Sequence, residues 1–259
     1  MSDKSSHWYK EDGTPQHTIV GKNGKERAPR VKEAMELKLY PSVTTKLSVI
    51  NNFNLNDWKL REVAKYAFVY PPQPKETDEA YAGRVIDGAM EQVGDAADLG
   101  TKIHDAIERH YPGETYPGEM QVYVSAVDKW VKENGVEFKD HELRLVNKTL
   151  GYAGTTDAAF TCPKGYGILD FKSRKTKPGE KVTAYETQIM QIAAYHTIYW
   201  GPIMPELHEK TIGCNLYIST TEPGRVEAVW YTAAELEQAW EAFVWASKLW
   251  DYFKGYKSP

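Results

Sequence analysis

Apolar positions fall at helical spacing through the first half of the chain, alternate through the middle, and return to helical spacing at the end, and each change of period marks an element. The first forty residues are polar and broken by Gly and Pro, with Asn23-Gly24 suited to a hairpin turn between short strand-like pieces. Helical segments are expected over 56–67 and 78–98, separated by the breaker Pro71-Pro72-Gln73-Pro74. A second helical pair is expected over 95–111, where Leu99, Ile103, Ala106 and Ile107 share a face, and over 119–134, where Val124, Val127 and Val131 do the same before Gly135. Strands follow at 138–146, 154–162 and 167–172, joined by turn-rich connectors into an antiparallel meander. Thr183-Ala-Tyr-Glu186 has the pattern of a capping box and predicts a helix from there to about residue 200. A strand over 211–219, a turn at Pro223-Gly224, a strand over 226–231 and a helix capped by Thr232-Ala-Ala-Glu235 complete the chain. Residues 1–94 therefore read as an N-terminal embellishment and helical cap, and residues 95–259 as an α/β core in the order α, α, β, β, β, α, β, β, α.

Composition narrows the class. With 259 residues, 41% hydrophobic and 26% charged, the chain is long enough for a sizeable core, and disorder, collagen and coiled coil are excluded as overall classes. No apolar run approaches the ~18 residues needed to cross a bilayer. The opening MSDKSSHWYKEDG lacks an apolar stretch and an Arg-rich face, so a cytoplasmic location without a membrane partner is expected. Cys162 and Cys214 are too few for a zinc ribbon or a four-cysteine iron–sulfur cluster, and no such cluster is expected. Net charge is −4, which argues against nonspecific coating of nucleic acid. Yet residues 164–181 hold six Lys/Arg against two Asp/Glu, a basic patch in mid-chain.

The candidate chemistry sits beside that patch. Period-two geometry puts Ile168, Asp170 and Lys172 on one strand face and Leu169 and Phe171 on the other. Alone, an Asp-x-Lys pair reads as a surface ion pair worth about 0–1 kcal/mol. A hairpin centred on Pro163 and Lys164, however, sets Asp157 of Gly154-Thr-Thr-Asp157 opposite Asp170, and two like charges so placed call for a cation between them. A hard divalent ion such as Mg²⁺ suits oxygen ligands of this kind, whereas the bland reading makes Asp157 a turn residue after Gly154. On the preceding helix, His104 and Glu108 lie four residues apart at the edge of the apolar stripe, fit either for a cleft or for a half-buried structural role. Gln188, Gln191 and Tyr195 share a face of the helix after the sheet, and by themselves form only a polar edge.

Taken in chain order, Gly100-Thr-Lys-Ile-His104 with Glu108, Gly154-Thr-Thr-Asp157, Asp170-Phe-Lys172 and Gln191-Ile-Ala-Ala-Tyr195 resemble the motifs of the RecB-like branch of the PD-(D/E)xK nuclease superfamily. The resemblance spans residues 95–220, with Thr156 where the ancestral pattern has Pro. His7-Trp-Tyr, Asp12-Gly-Thr-Pro15 and Pro41-Ser-Val-Thr-Thr45 are similar to the leader of phage-type exonucleases related to the mitochondrial genome maintenance exonuclease. The resemblance implies a restriction-endonuclease-like core, a central mixed sheet flanked by helices in the order αβββαβ, and a Mg²⁺- or Mn²⁺-dependent deoxyribonuclease acting at DNA ends; the helical segment over 40–98, long enough to cover one side of the site, favours a single-stranded end. It further implies His104, Asp157, Asp170 and the Phe171 carbonyl as metal ligands, Lys172 as the group that orients or deprotonates the attacking water, and Gln191 and Tyr195 as groups that steady Lys172 or a DNA phosphate. Glu108, Glu142 and Gln188 would back the ligands, although Glu142 reads equally as an edge-strand surface acid. The loop with Arg174, Lys175, Lys177 and Lys181 would hold DNA phosphates. A noncatalytic DNA-binding or recombination accessory protein, and a restriction-type endonuclease, are the alternatives.

Overall fold

The computed structural model describes residues 7–50, 53–204, 206 and 209–259, so residues 1–6 of the expected leader lie outside the described part. Short pieces open the chain: β1 (Trp8–Tyr9), the hairpin of β2 (Ile19–Val20) and β3 (Glu26–Arg27), α1 (Val31–Glu36), β4 (Tyr40–Pro41) and α2 (Val43–Leu47). Gly24, at φ 73°, supplies the left-handed residue of the expected hairpin turn. This leader is no loose ornament. Trp8 is fully buried, its ring 6.2 Å from that of Trp250 near the C-terminus. Lys46 is buried too, ion-paired to Asp251 and 5.0 Å from the ring centroids of both Trp250 and Tyr256. Burial pushes the Lys46 amine down, and the carboxylate with two ring faces offsets that cost.

Next come α3 (Phe53–Val69) and α4 (Asp78–His110). The breaker Pro71-Pro72-Gln73-Pro74 separates them as expected, but the two helices predicted over 78–98 and 95–111 are one element of 33 residues. Overlapping apolar faces without a Pro or a cap between them give the chain no reason to stop. α3 packs on the first part of α4, where Gly88 admits the Tyr66 ring so closely that a Cβ would lie 2.3 Å from its hydroxyl. A 3₁₀ turn (Gly118–Met120) leads into α5 (Gln121–Glu133).

The alternating stretch forms β5 (Glu137–Asn147), β6 (Tyr152–Cys162) and β7 (Gly165–Arg174), each slightly longer than the pattern predicts. After α6 (Glu186–Tyr199) come β8 (Thr211–Ser219), β9 (Val226–Thr232) and α7 (Ala233–Lys254). The result is a mixed five-stranded sheet in the order β5-β6-β7-β8-β9, antiparallel except where β8 runs parallel to β7. A parallel neighbour needs a crossover, and α6 provides it.

Helices flank both faces. Ile168, Ile192, Leu236 and Phe243 are buried together on the side of α6 and α7, whereas Ile103, Val127, Leu169, Phe171 and Leu216 are buried together on the side of α4 and α5. Neighbours on β7 thus enter opposite cores, the period-two expectation. Phe243 and Trp250 are core residues and Trp240 packs against Phe243, again as helical spacing predicts. Thr232 caps α7 with Glu235, but α6 starts at Glu186 and not at Thr183. There Gln188 reaches back to the Tyr185 N–H at 2.8 Å, while the Thr183 carbonyl accepts from Arg174. Ties to Arg225 and Glu227 hold the chain in a non-helical path up to that point. No described helix is long and apolar enough to cross a membrane.

Candidate active site

Strand register gathers the acids. β6 and β7 pair from Cys162 with Gly165 as far as Ala158 with Leu169, and the register carried one step further sets Asp157 opposite Asp170. On its other side β6 meets β5, which shifts register between Phe138 and Asp140. That one extra residue changes the position facing Asp157 from His141 to Glu142. Asp170 is paired in turn with Asn215 of β8. Glu142, Asp157, Asp170 and Asn215 therefore form one row across four strands. Glu142 holds this place with φ 47°, a left-handed conformation costly for a residue with a side chain.

Beyond the last pair of the β6–β7 ladder, the Phe171 N–H donates to Asp157 Oδ2 at 2.5 Å. Asp170, 3% exposed, accepts from Asn215 Nδ2 at 3.0 Å and is ion-paired with Lys172. Asn215 Oδ1 accepts in turn from the Tyr231 hydroxyl at 2.7 Å. Lys172 Nζ also donates to Gln191 Oε1 at 3.3 Å. A cavity of about 160 Å³ adjoins the row, and His104, Glu108, Glu142, Asp157 and Phe171 are among its walls.

These groups perturb one another. Burial, reinforced by the Asp170 charge, holds the Asp157 carboxyl well above the usual range. Burial, with Glu108 as the next cause, lifts Glu142 from 4.5 to about 7. Burial would lower the Lys172 amine, but Asp170 and Asp157 outweigh it and the ammonium is favoured. His104 is pushed down by burial against the pull of Asp170, which favours the neutral imidazole.

The expected residues thus separate into groups. His104, Glu108, Glu142, Asp157 and Phe171 meet at the cavity, and Asp170, Lys172 and Gln191 are bonded to one another beside it, with Asp170 across from Asp157 in the strand register. Tyr195 is 2% exposed, and it lies so close to Gly154 that a Cβ there would be 2.3 Å from the hydroxyl. The first residue of Gly154-Thr-Thr-Asp157 is a glycine for that reason. Gln188 stands apart: it caps the start of α6 and accepts from the Tyr217 hydroxyl at 2.5 Å. Lys175, Lys177 and Lys181 are exposed and with Arg174 line a separate cavity of about 250 Å³. Arg174 is partly engaged, donating to the Thr183 carbonyl at 2.5 Å with its guanidinium 5.1 Å from the Tyr185 ring centroid.

Sequence reasoning missed Asn215, Tyr231 and Arg225. A lone Asn inside the apolar run Cys214-Asn215-Leu216 was a usable signal, since a polar side chain in a buried strand needs a partner. Arg225 gave none. It ties the basic loop by donating to the Lys177 carbonyl at 2.9 Å and the Glu180 carbonyl at 2.5 Å, contacts across more than forty residues. Among the described residues no three His, Cys, Asp or Glu side chains stand together as a ligating set. Lys172 and the Phe171 N–H engage carboxylate oxygens that a cation would use.

No family model matches the chain, and no curated protein matches it. Among solved structures, the crystal structure of SSO0001 aligns with 76% of this chain and 88% of its own at 15% identity, with a TM-score of 0.28. A likeness that slight carries no argument about fold or function.

Proposed function

We propose that the protein is a metal-dependent DNA exonuclease on a RecB-like PD-(D/E)xK core, hydrolysing phosphodiester bonds from a free, single-stranded end. The observation that carries this reading is the row Glu142, Asp157 and Asp170 beside a cavity reached by His104, with Lys172 ion-paired to Asp170. Carboxyls held above their ordinary range by burial and by one another are what a divalent cation would relieve. The donor set fits Mg²⁺ or Mn²⁺: Asp157, Asp170, the Phe171 carbonyl and a neutral His104 imidazole supply hard oxygens and one nitrogen, with Glu108 and Glu142 behind them. When bound, such an ion neutralises charge on the phosphoryl oxygens and yields a water nucleophile near neutral pH.

Lys172 and Asn215 both engage Oδ2 of Asp170, which leaves Oδ1 to ligate, and Gln191 is a second acceptor that steadies the ammonium. With its proton favoured, Lys172 acts by positive charge, stabilising the transition state and orienting water, more than as a base. Tyr195, one turn further along α6, packs against Gly154 and fixes that face of the helix beside Gln191. Asn215 and Tyr231 hold the Asp170 carboxylate in place from the next strands. Lys175, Lys177 and Lys181, with Arg174, offer phosphate contacts along the continuation of β7.

The test is digestion of end-labelled single-stranded DNA with and without Mg²⁺ or Mn²⁺, set beside the covalently closed circle of the same sequence. Cation-dependent loss of the linear strand and survival of the circle is the expected result. Equal digestion of both means endonuclease action, and binding without cleavage means an accessory role.

A further inference from the structure

Next to the catalytic cavity lies a larger cleft of about 500 Å³, and the two share Glu108, Tyr111, His141 and Glu142 as walls. Its floor is aromatic. The rings of Tyr111 and His141 stack with centroids 4.9 Å apart and planes 12° from parallel, and Phe138 braces both at 4.8 and 4.7 Å. His141 is exposed, so this buttressed stack is available to a ligand. The remaining lining is mostly acidic. Asp105 is paired with Arg109 at 3.0 Å, leaving Glu108, Glu114 and Glu142 as acceptors.

Those charges repel a phosphate, and they welcome the amino groups and ring N–H groups of a nucleobase, which also has a flat face to lay on an aromatic ring. The volume lies within the usual range for sites that enclose a small organic group. Phosphates have the basic cavity of Arg174, Lys175, Lys177 and Lys181, which shares no lining residue with this cleft.

We infer that the Tyr111–His141 cleft binds the nucleobase of the end nucleotide beside the scissile phosphate, with His141 as the stacking surface. This deepens the exonuclease reading and rests on it for the position of the strand. A base held there would place the first phosphodiester bond at the acidic row and make His141 a determinant of how firmly an end is gripped.

The probe is a single-stranded oligonucleotide carrying 2-aminopurine at one terminus, at the other, or internally, mixed with the intact protein in EDTA so that no cleavage occurs. Binding is followed by anisotropy and stacking by quenching of the 2-aminopurine. Quenching is expected at one terminus and not internally. It should be lost in His141→Ala and retained in His141→Phe, with the dissociation constant for the strand raised about tenfold by the alanine. Both variants replace an exposed side chain, and circular dichroism checks that each is folded. Binding without quenching at either terminus, or unchanged quenching in His141→Ala, overturns the inference. Cation-dependent cleavage without quenching defeats this inference alone, whereas quenching without cleavage keeps the base site and defeats the nuclease reading.

Discussion

Glu142 gives the sharpest test of the electrostatics of the site. Its carboxyl titrates at about 7 where 4.5 is ordinary, burial and Glu108 being the main causes. Between those two values the folded protein binds more protons than the unfolded chain, so stability falls as pH rises through the window from about 4.5 to about 7 and the penalty is complete above it. At 1.36 kcal/mol per pH unit the full penalty is about 3 kcal/mol, and screening at this half-buried position reduces it to about 1–2 kcal/mol. Glu142→Gln keeps the shape, the hydrogen-bonding reach and the left-handed backbone while removing the charge. Urea denaturation at a series of pH values should therefore show the variant about 1–2 kcal/mol more stable than the native protein above pH 7, and equal to it below pH 4.5. Asp157 is shifted in the same direction, so a smaller slope of the same sign should persist in the variant. Parallel pH curves for the two proteins would refute the claim that Glu142 resists ionisation in this row.

Three further outcomes are expected. Lys172→Ala should lower the cleavage rate by about 10² to 10⁴ while strand binding in EDTA is kept, and a wild-type rate across a pH series would remove Lys172 from the chemistry. Gly154→Ala forces a methyl to within 2.3 Å of the Tyr195 hydroxyl and should cost about 1–3 kcal/mol in urea unfolding, part of which Tyr195→Phe should restore; a stability equal to the parent would show that the contact yields freely. Lys175→Gln with Lys181→Gln should reduce the slope of log affinity against log salt by about one to two units, because both side chains are exposed, and an unchanged slope would place the strand elsewhere.

Much of this arrangement was legible in the amino-acid order because it depends on local spacing. Alternation put Asp170 and Lys172 on one face of β7, a four-residue step put His104 and Glu108 on one face of α4, and turn residues at Pro163-Lys164 fixed the hairpin that brings Asp157 across from Asp170. Thr232-Ala-Ala-Glu235 marked the start of α7 because both halves of that cap lie within one turn. The same kind of signal misled at Thr183, where ties from Arg225 and Glu227 on and before β9 outweigh a local cap, and at residues 95–98, where the helix continues.

Tertiary structure decided whatever depends on partners distant in the chain. One residue of register shift near Lys139 makes Glu142, and not His141, the neighbour of Asp157, and period alone cannot reveal it. Asn215 reaches Asp170, and Tyr231 reaches Asn215, only because β8 lies parallel to β7 and β9 follows antiparallel. Gly154 needs its missing Cβ only once α6 lays Tyr195 against it. Lys46 looks like a surface residue until Asp251, Trp250 and Tyr256 close around it from the other end of the chain. Spacing is fixed by the covalent chain and its two regular periods, so it is written in sequence; burial and pairing arise when separate elements pack, and the pKa of a carboxyl follows from them.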